Sequence, residues 1–75
     1  MLTIKNGKLE GGTLEDLEGK NIRIGKCGSI EGWVGAIVGV TQSPHHGYCL
    51  TVNNFNDGLI GIWLRNIEFA EISQF

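Results

Sequence analysis

No apolar run in this chain exceeds three residues, and glycine punctuates most of the sequence. Twelve glycines but one proline are spread over 75 residues. That spacing leaves little room for a helix of three turns, and it suits a fold of short strands joined by tight turns. The alternation within the runs agrees. Leu2-Thr3-Ile4-Lys5 and Lys8-Leu9-Glu10 flank an Asn6-Gly7 pair, which accepts positive φ at both turn positions and predicts a two-residue hairpin. Gly11-Gly12 ends it. Thr13 to Asp16 has the hydroxyl-x-x-acid pattern of a capping box. The segment is either one helical turn with Leu14 and Leu17 facing inward or an irregular loop pinned by those leucines, with Gly19 as its stop.

Beyond Gly19 the period is two. Lys20 to Ile24 predicts a strand with Ile22 and Ile24 inward, followed by a loop over Gly25 to Gly32. Trp33 to Val40 is the strongest strand signal. Its apolar residues keep no single period, which calls for cover on both faces or a bulge at Gly35. Gln42 to Gly47 is a polar turn holding the proline. Tyr48 to Val52 is a strand, Asn53 to Gly58 a turn, and Leu59 to Leu64 another strand. Arg65 to Ile67 suits a single 3₁₀ turn, and Glu68 to Ile72 alternates as a closing strand. The expected fold is all-β: a five-stranded antiparallel SH3-like barrel over residues 19–75, with an N-terminal hairpin and acidic loop over residues 1–18 as an arm. Closure would remove the exposed edges of an open sheet.

Charge and composition narrow the function. Six basic against eight acidic residues give a net charge of −2, which argues against nucleic acid as a partner. No run approaches the ~18 apolar residues of a membrane helix, and the first residues resemble no signal peptide, so no membrane and a cytoplasmic location are expected. Two cysteines make no disulfide framework. Cys27, Cys49, His45 and His46 are the soft metal ligands, but no Cys-x-x-Cys exists. The two histidines are adjacent, and adjacent side chains of an extended segment point apart. No metal site is expected, and Cys49 beside Leu50 reads as a core residue. Gly12 to Lys20 lacks the P-loop spacing. No nucleophile–histidine–acid set stands out, so no catalytic residue is assigned. The acids Glu10, Glu15, Asp16 and Glu18 form either a solvated loop or a receptor for a basic partner.

The aromatics carry more. A core this thin holds one tryptophan, so Trp33 is expected edge-on in it and Trp63 at a surface or subunit interface. Leu59 to Leu64 is apolar on both faces. One face should meet the core, and a second subunit is the economical cover for the other, with Gly61 permitting close backbone approach. The residues singled out for ligand or interface binding are Trp33, Tyr48, Ile60, Gly61, Ile62 and Trp63.

Gly19 to Ile72 also resembles the type II, plasmid-borne dihydrofolate reductases, which have an SH3-like barrel. Trp33-Val34-Gly35-Ala36-Ile37-Val38-Gly39 fits their Trp-x-Gly-x-Ile-Val-Gly strand, and Gly47-Tyr48 their Gly-Tyr pair. Gly58-Leu59-Ile60-Gly61-Ile62-Trp63 sits in register with their Gly-x-Val-Gln-Ile-Tyr strand, and Ile67 to Ile72 with their last. The resemblance implies an oligomer in which four copies of that strand line a pore for NADPH and folate. The glutamine that contacts both ligands falls at Gly61 here, the tyrosine at Trp63, and the isoleucine whose backbone holds the nicotinamide at Ile62. The cofactor-binding lysine falls at Ile24, with Lys26 two residues on. Peptide-binding SH3 domains share the acidic stretch before a tryptophan, although their Ala-Leu-Tyr-Asp-Tyr motif is missing. KOW-type barrels share the Gly-x-x-Gly-x-Ile/Val pattern around Val34 to Val38, although they are usually basic.

The leading expectation is a non-enzymatic binding or assembly module without a cofactor, self-associating through Leu59 to Leu64 and open to a protein or peptide partner. The alternative is a reductase-like pore protein, active or vestigial, with NADPH as cofactor. A third is a redox- or metal-linked protein using Cys27 and Cys49.

Overall fold

The computed structural model describes residues 2–54 and 56–73. They form seven strands: β1 (Leu2–Lys5), β2 (Lys8–Glu10), β3 (Asn21–Cys27), β4 (Ile30–Ser43), β5 (Gly47–Asn54), β6 (Gly58–Trp63) and β7 (Phe69–Ser73). Single 3₁₀ turns cover Leu14–Asp16 and Leu64–Asn66. All pairings are antiparallel, in one curled sheet of order β2-β1-β7-β3-β4-β5-β6. The chain is therefore all-β, as expected, and the sheet curls into a half-barrel.

The hairpin forms where the Asn-Gly pair places it, with φ of 50° at Asn6 and 78° at Gly7. It is not an arm. β1 pairs with β7 from Leu2↔Ile72 to Lys5↔Phe69, and the turn N–H groups of Asn6 and Gly7 donate to the carbonyls of Glu68 and Ile67 at 2.9 and 2.8 Å. The Cα radius of gyration of 10.9 Å matches the ~11 Å of a compact chain this long, and among the described residues the hairpin lies within the sheet. Closure also departs from expectation. Among the described residues β2 and β6 are each paired on one side, so the ladder is open.

Two local readings are corrected. Gly25 to Gly32 is not a loop: β3 continues to Cys27, β4 begins at Ile30, and Gly28 (φ 60°) sits in the tight turn between them. Glycine alone carried the loop reading, and cross-strand pairing absorbs it. The bulge lies at Val38 rather than Gly35, where the β4–β5 register steps from Ile37↔Val52 to Gly39↔Thr51. The Ile37 N–H donates to Lys20 O at 2.7 Å, and the Ile37 carbonyl accepts from Gly19 N–H at 2.9 Å. Here β4 leaves β3 and continues with β5. Trp33, Gly35 and Ile37 face inward before the bulge and Val40 after it, which explains the broken period.

Gly35 is needed for space. A Cβ there would lie 2.5 Å from a Val52 methyl, 2.9 Å from the Asn53 carbonyl and 3.3 Å from the Trp33 ring. The concave face holds the core: Ile4, Ile22, Ile24, Ile37, Leu50, Val52, Ile62 and Ile72, with Leu17, Leu64 and Ile67 reaching in from the connections. Each buried aliphatic side chain contributes roughly 1.5–3 kcal/mol of transfer free energy. The Leu14–Asp16 turn has Leu17 fully buried at its end, and the Asp16 carboxylate accepts the Thr13 N–H at 3.0 Å. The capped turn and the leucine pin thus coexist. No helix among the described residues is long and apolar enough to cross a membrane.

Candidate functional site

The residues singled out from sequence divide between the two faces of β5–β6. Strand alternation decides which side each takes. Ile60 and Ile62 lie opposite Val52 and Leu50 and face the core, with Ile62 buried and Ile60 half-buried. Leu59, Gly61 and Trp63 lie opposite Asn53, Thr51 and Cys49 on the outer face. Leu59 is 66% exposed. β6 hydrogen-bonds to β5 alone among the described residues, so its other edge offers unpaired backbone.

Trp63 is half-buried and does not join the core. The turn after β4 covers it in part. The His46 ring sits 5.1 Å from the Trp63 ring with an interplanar angle of 50°, and His45 meets His46 edge-on at 6.4 Å. Arg65, just past β6, places its guanidinium 3.2 Å from His46 Nδ1. Proximity along the sequence could not have joined His46 to Trp63. The β5–β6 register does, by setting Cys49 against Trp63 three residues from His46. Gly61 is exposed beside this group, and a Cβ there would meet Cys49 Sγ at 3.2 Å. Neither Trp33 nor Tyr48 shares that surface. Trp33 is half-buried on the concave face with its ring over Gly35, and Tyr48 packs on the concave face against the core.

Cys49 is not a core residue. It is half-buried on the outer face, while its neighbour Leu50 is fully buried. Cys27 lies in the core, where burial pushes its thiol pKa up and the nearby Glu68 carboxylate adds to the effect. A thiol held protonated is a poor nucleophile and a poor metal ligand. Among the described residues no three His, Cys, Asp or Glu side chains gather to hold a metal ion.

In the sequence Asn54 reads only as part of the Asn53–Gly58 turn, and the structure gives it a further role. It is 6% exposed. Its side-chain amide donates to the Val34 carbonyl at 3.0 Å, and its oxygen accepts the N–H groups of Asn56 and Asp57 at 2.8 and 3.1 Å. It closes the turn into β6 and ties it to β4. The side chain–backbone turn habit of asparagine was the available signal. A shallow groove of ≈ 410 Å³ over Arg23, Val34 and Glu71 contains none of the residues singled out.

No protein-family model, characterised protein or solved structure matches the chain.

Proposed function

We propose that the chain is an SH3-like binding and assembly module that self-associates through the β6 edge. The order β7-β3-β4-β5-β6, with a 3₁₀ turn between β6 and β7, supports the SH3-like assignment. The observation that carries self-association is the composition of that edge. Gly58-Leu59-Ile60-Gly61-Ile62-Trp63 holds no charge and no proline, and among the described residues it ends the sheet with its outer backbone edge unpaired. Natural edge strands are usually blunted by charge, proline or brevity. A second copy pairing antiparallel with β6 would satisfy the free N–H and C=O groups, cover Leu59 and bring two Trp63 rings to one seam.

The test is native mass by size exclusion with light scattering, on the wild type, Leu59→Lys and Trp63→Ala. Both side chains lie outside the core, so both variants should stay folded by circular dichroism. A mass that falls to one subunit in both supports the reading. A wild-type monomer, or a mass unchanged in both variants, removes it. The reductase-like pore is the second reading, favoured by Gly61 and Trp63 sharing the outer face of β6 where the family carries its ligand-binding glutamine and tyrosine. It ranks second because Gly61 offers no side chain to a ligand. A tetramer whose tryptophan fluorescence is quenched saturably by NADPH would select it.

A further inference from the structure

A cleft of ≈ 440 Å³ opens on the side of the sheet opposite Trp63, under the first 3₁₀ turn. Leu14, Val40 and Tyr48 form its apolar walls, and Thr13, Glu15 and Glu18 stand around them. The chain builds it simply. Leu17 is fully buried and anchors the turn, which leaves Leu14 half-buried above the sheet. The pairings Val40↔Leu50 and Gln42↔Tyr48 make Val40 and Tyr48 diagonal neighbours on the concave face.

The acids here are not equivalent. Asp16 is committed to the turn, accepting the Thr13 N–H at 3.0 Å and the Thr13 hydroxyl at 3.3 Å. Glu15 and Glu18 are exposed, and the ion pair found among the described residues, Lys26 with Glu68, does not involve them. Two uncommitted carboxylates therefore border an aromatic and two aliphatic side chains. A purely apolar occupant would strip water from those carboxylates without replacing it. An anion would be repelled. A cation on an apolar stem suits both parts: methylenes pack on Leu14 and Val40, while the charged head reaches the acids and the Tyr48 ring.

We propose that this cleft binds an arginine- or lysine-bearing segment of a partner protein. Tyr48 and Cys49 alternate, and Cys49 lies opposite Trp63 on the outer face, so the cleft and the β6 edge are on opposite faces of the sheet. The proposal does not depend on self-association.

The probe is the capped peptide Gly-Arg-Leu-Arg-Gly, titrated into the full chain by calorimetry and by ¹H–¹⁵N NMR, beside its glutamate-for-arginine analogue. Saturable binding of the arginine peptide is expected, with shifts centred on Leu14, Val40 and Tyr48 and with affinity falling as salt rises. Glu15→Gln combined with Glu18→Gln should weaken it roughly fivefold to tenfold, as expected for the loss of two exposed ion pairs. Three results overturn the proposal: no saturable binding at millimolar peptide, equal binding of the glutamate analogue, or unchanged affinity in the double variant. A fourth is a fall in native mass in the double variant without peptide. That would make the occupant a second copy, presenting the exposed Lys5 and Lys8 that face each other across the hairpin.

Discussion

The sheet has two edges, and they are built on opposite principles. β2 is three residues long, and two of them, Lys8 and Glu10, are charged and exposed. Its partner strand sets Lys5 directly opposite Lys8, a like-charge pair that costs a little stability and repels a similar edge. β6 is twice as long, uncharged, and leaves Leu59 two-thirds exposed. Both strands end the same ladder, so folding makes the same demand on each. One edge is thus blunted and the other bare, and the proposed self-association rests on that difference.

The comparison can be broken at the anchor of the bare edge. Asn54→Ala removes the amide that holds the Val34 carbonyl and the two turn N–H groups. Unfolding in urea should show a loss of about 2–3 kcal/mol, since buried polar groups lose their partners. A loss under about 1 kcal/mol would mean that β6 is held by its ladder alone. A smaller effect sharpens the contrast from the other side. Lys8→Val with Glu10→Val strips the blunted edge. It should add a weak association, with a dissociation constant near ~1 mM. The readout is native mass at high protein concentration in a Leu59→Lys background. If mass does not rise, brevity rather than charge protects β2.

The smallest effect concerns the turn that follows β2. The Thr13 N–H holds the Asp16 carboxyl below its ordinary pKa of 3.8, with the Thr13 hydroxyl and Lys20 helping. A carboxyl whose pKa is depressed on folding contributes stability above its unfolded pKa and loses it as pH falls through the folded value. Thermal melts between pH 2 and 6 should therefore show Asp16→Asn slightly less stable than wild type at pH 6 and equal to it at the acid end. Equal melts at pH 6 would mean that the bond contributes nothing.

Much of the fold was legible because its signals are local. Asn6-Gly7 demands positive φ, Ile22 and Ile24 alternate with polar neighbours, and the acid of the Thr13–Asp16 box meets its own N-cap. The sequence puts the 3₁₀ turn at Arg65–Ile67, one residue past its place at Leu64–Asn66. What failed was set by distant partners. The bulge at Val38 exists because the Ile37 backbone bonds to Gly19 and Lys20, eighteen and seventeen residues back. The joining of the hairpin to the sheet depends on β7, at the far end of the sequence. The outer surface was legible as a strand apolar on both faces. The His46 cover on Trp63 and the wall that Leu14 gives Tyr48 were not, because each joins side chains from separate turns and strands.

The place of β7 has a consequence for how the molecule is assembled. β1–β2 is one local meander and β3 through β6 is another, and each can form from neighbouring sequence as it is synthesised. β7 lies between β1 and β3 and hydrogen-bonds to both. Until it arrives, the two meanders share no strand pairing, and Ile4 and Ile22 have no Ala70 and Ile72 to lie against. Pairing this one five-residue strand closes the longest loops among the described strand pairings, so the largest loop-closure costs of the fold fall on β7.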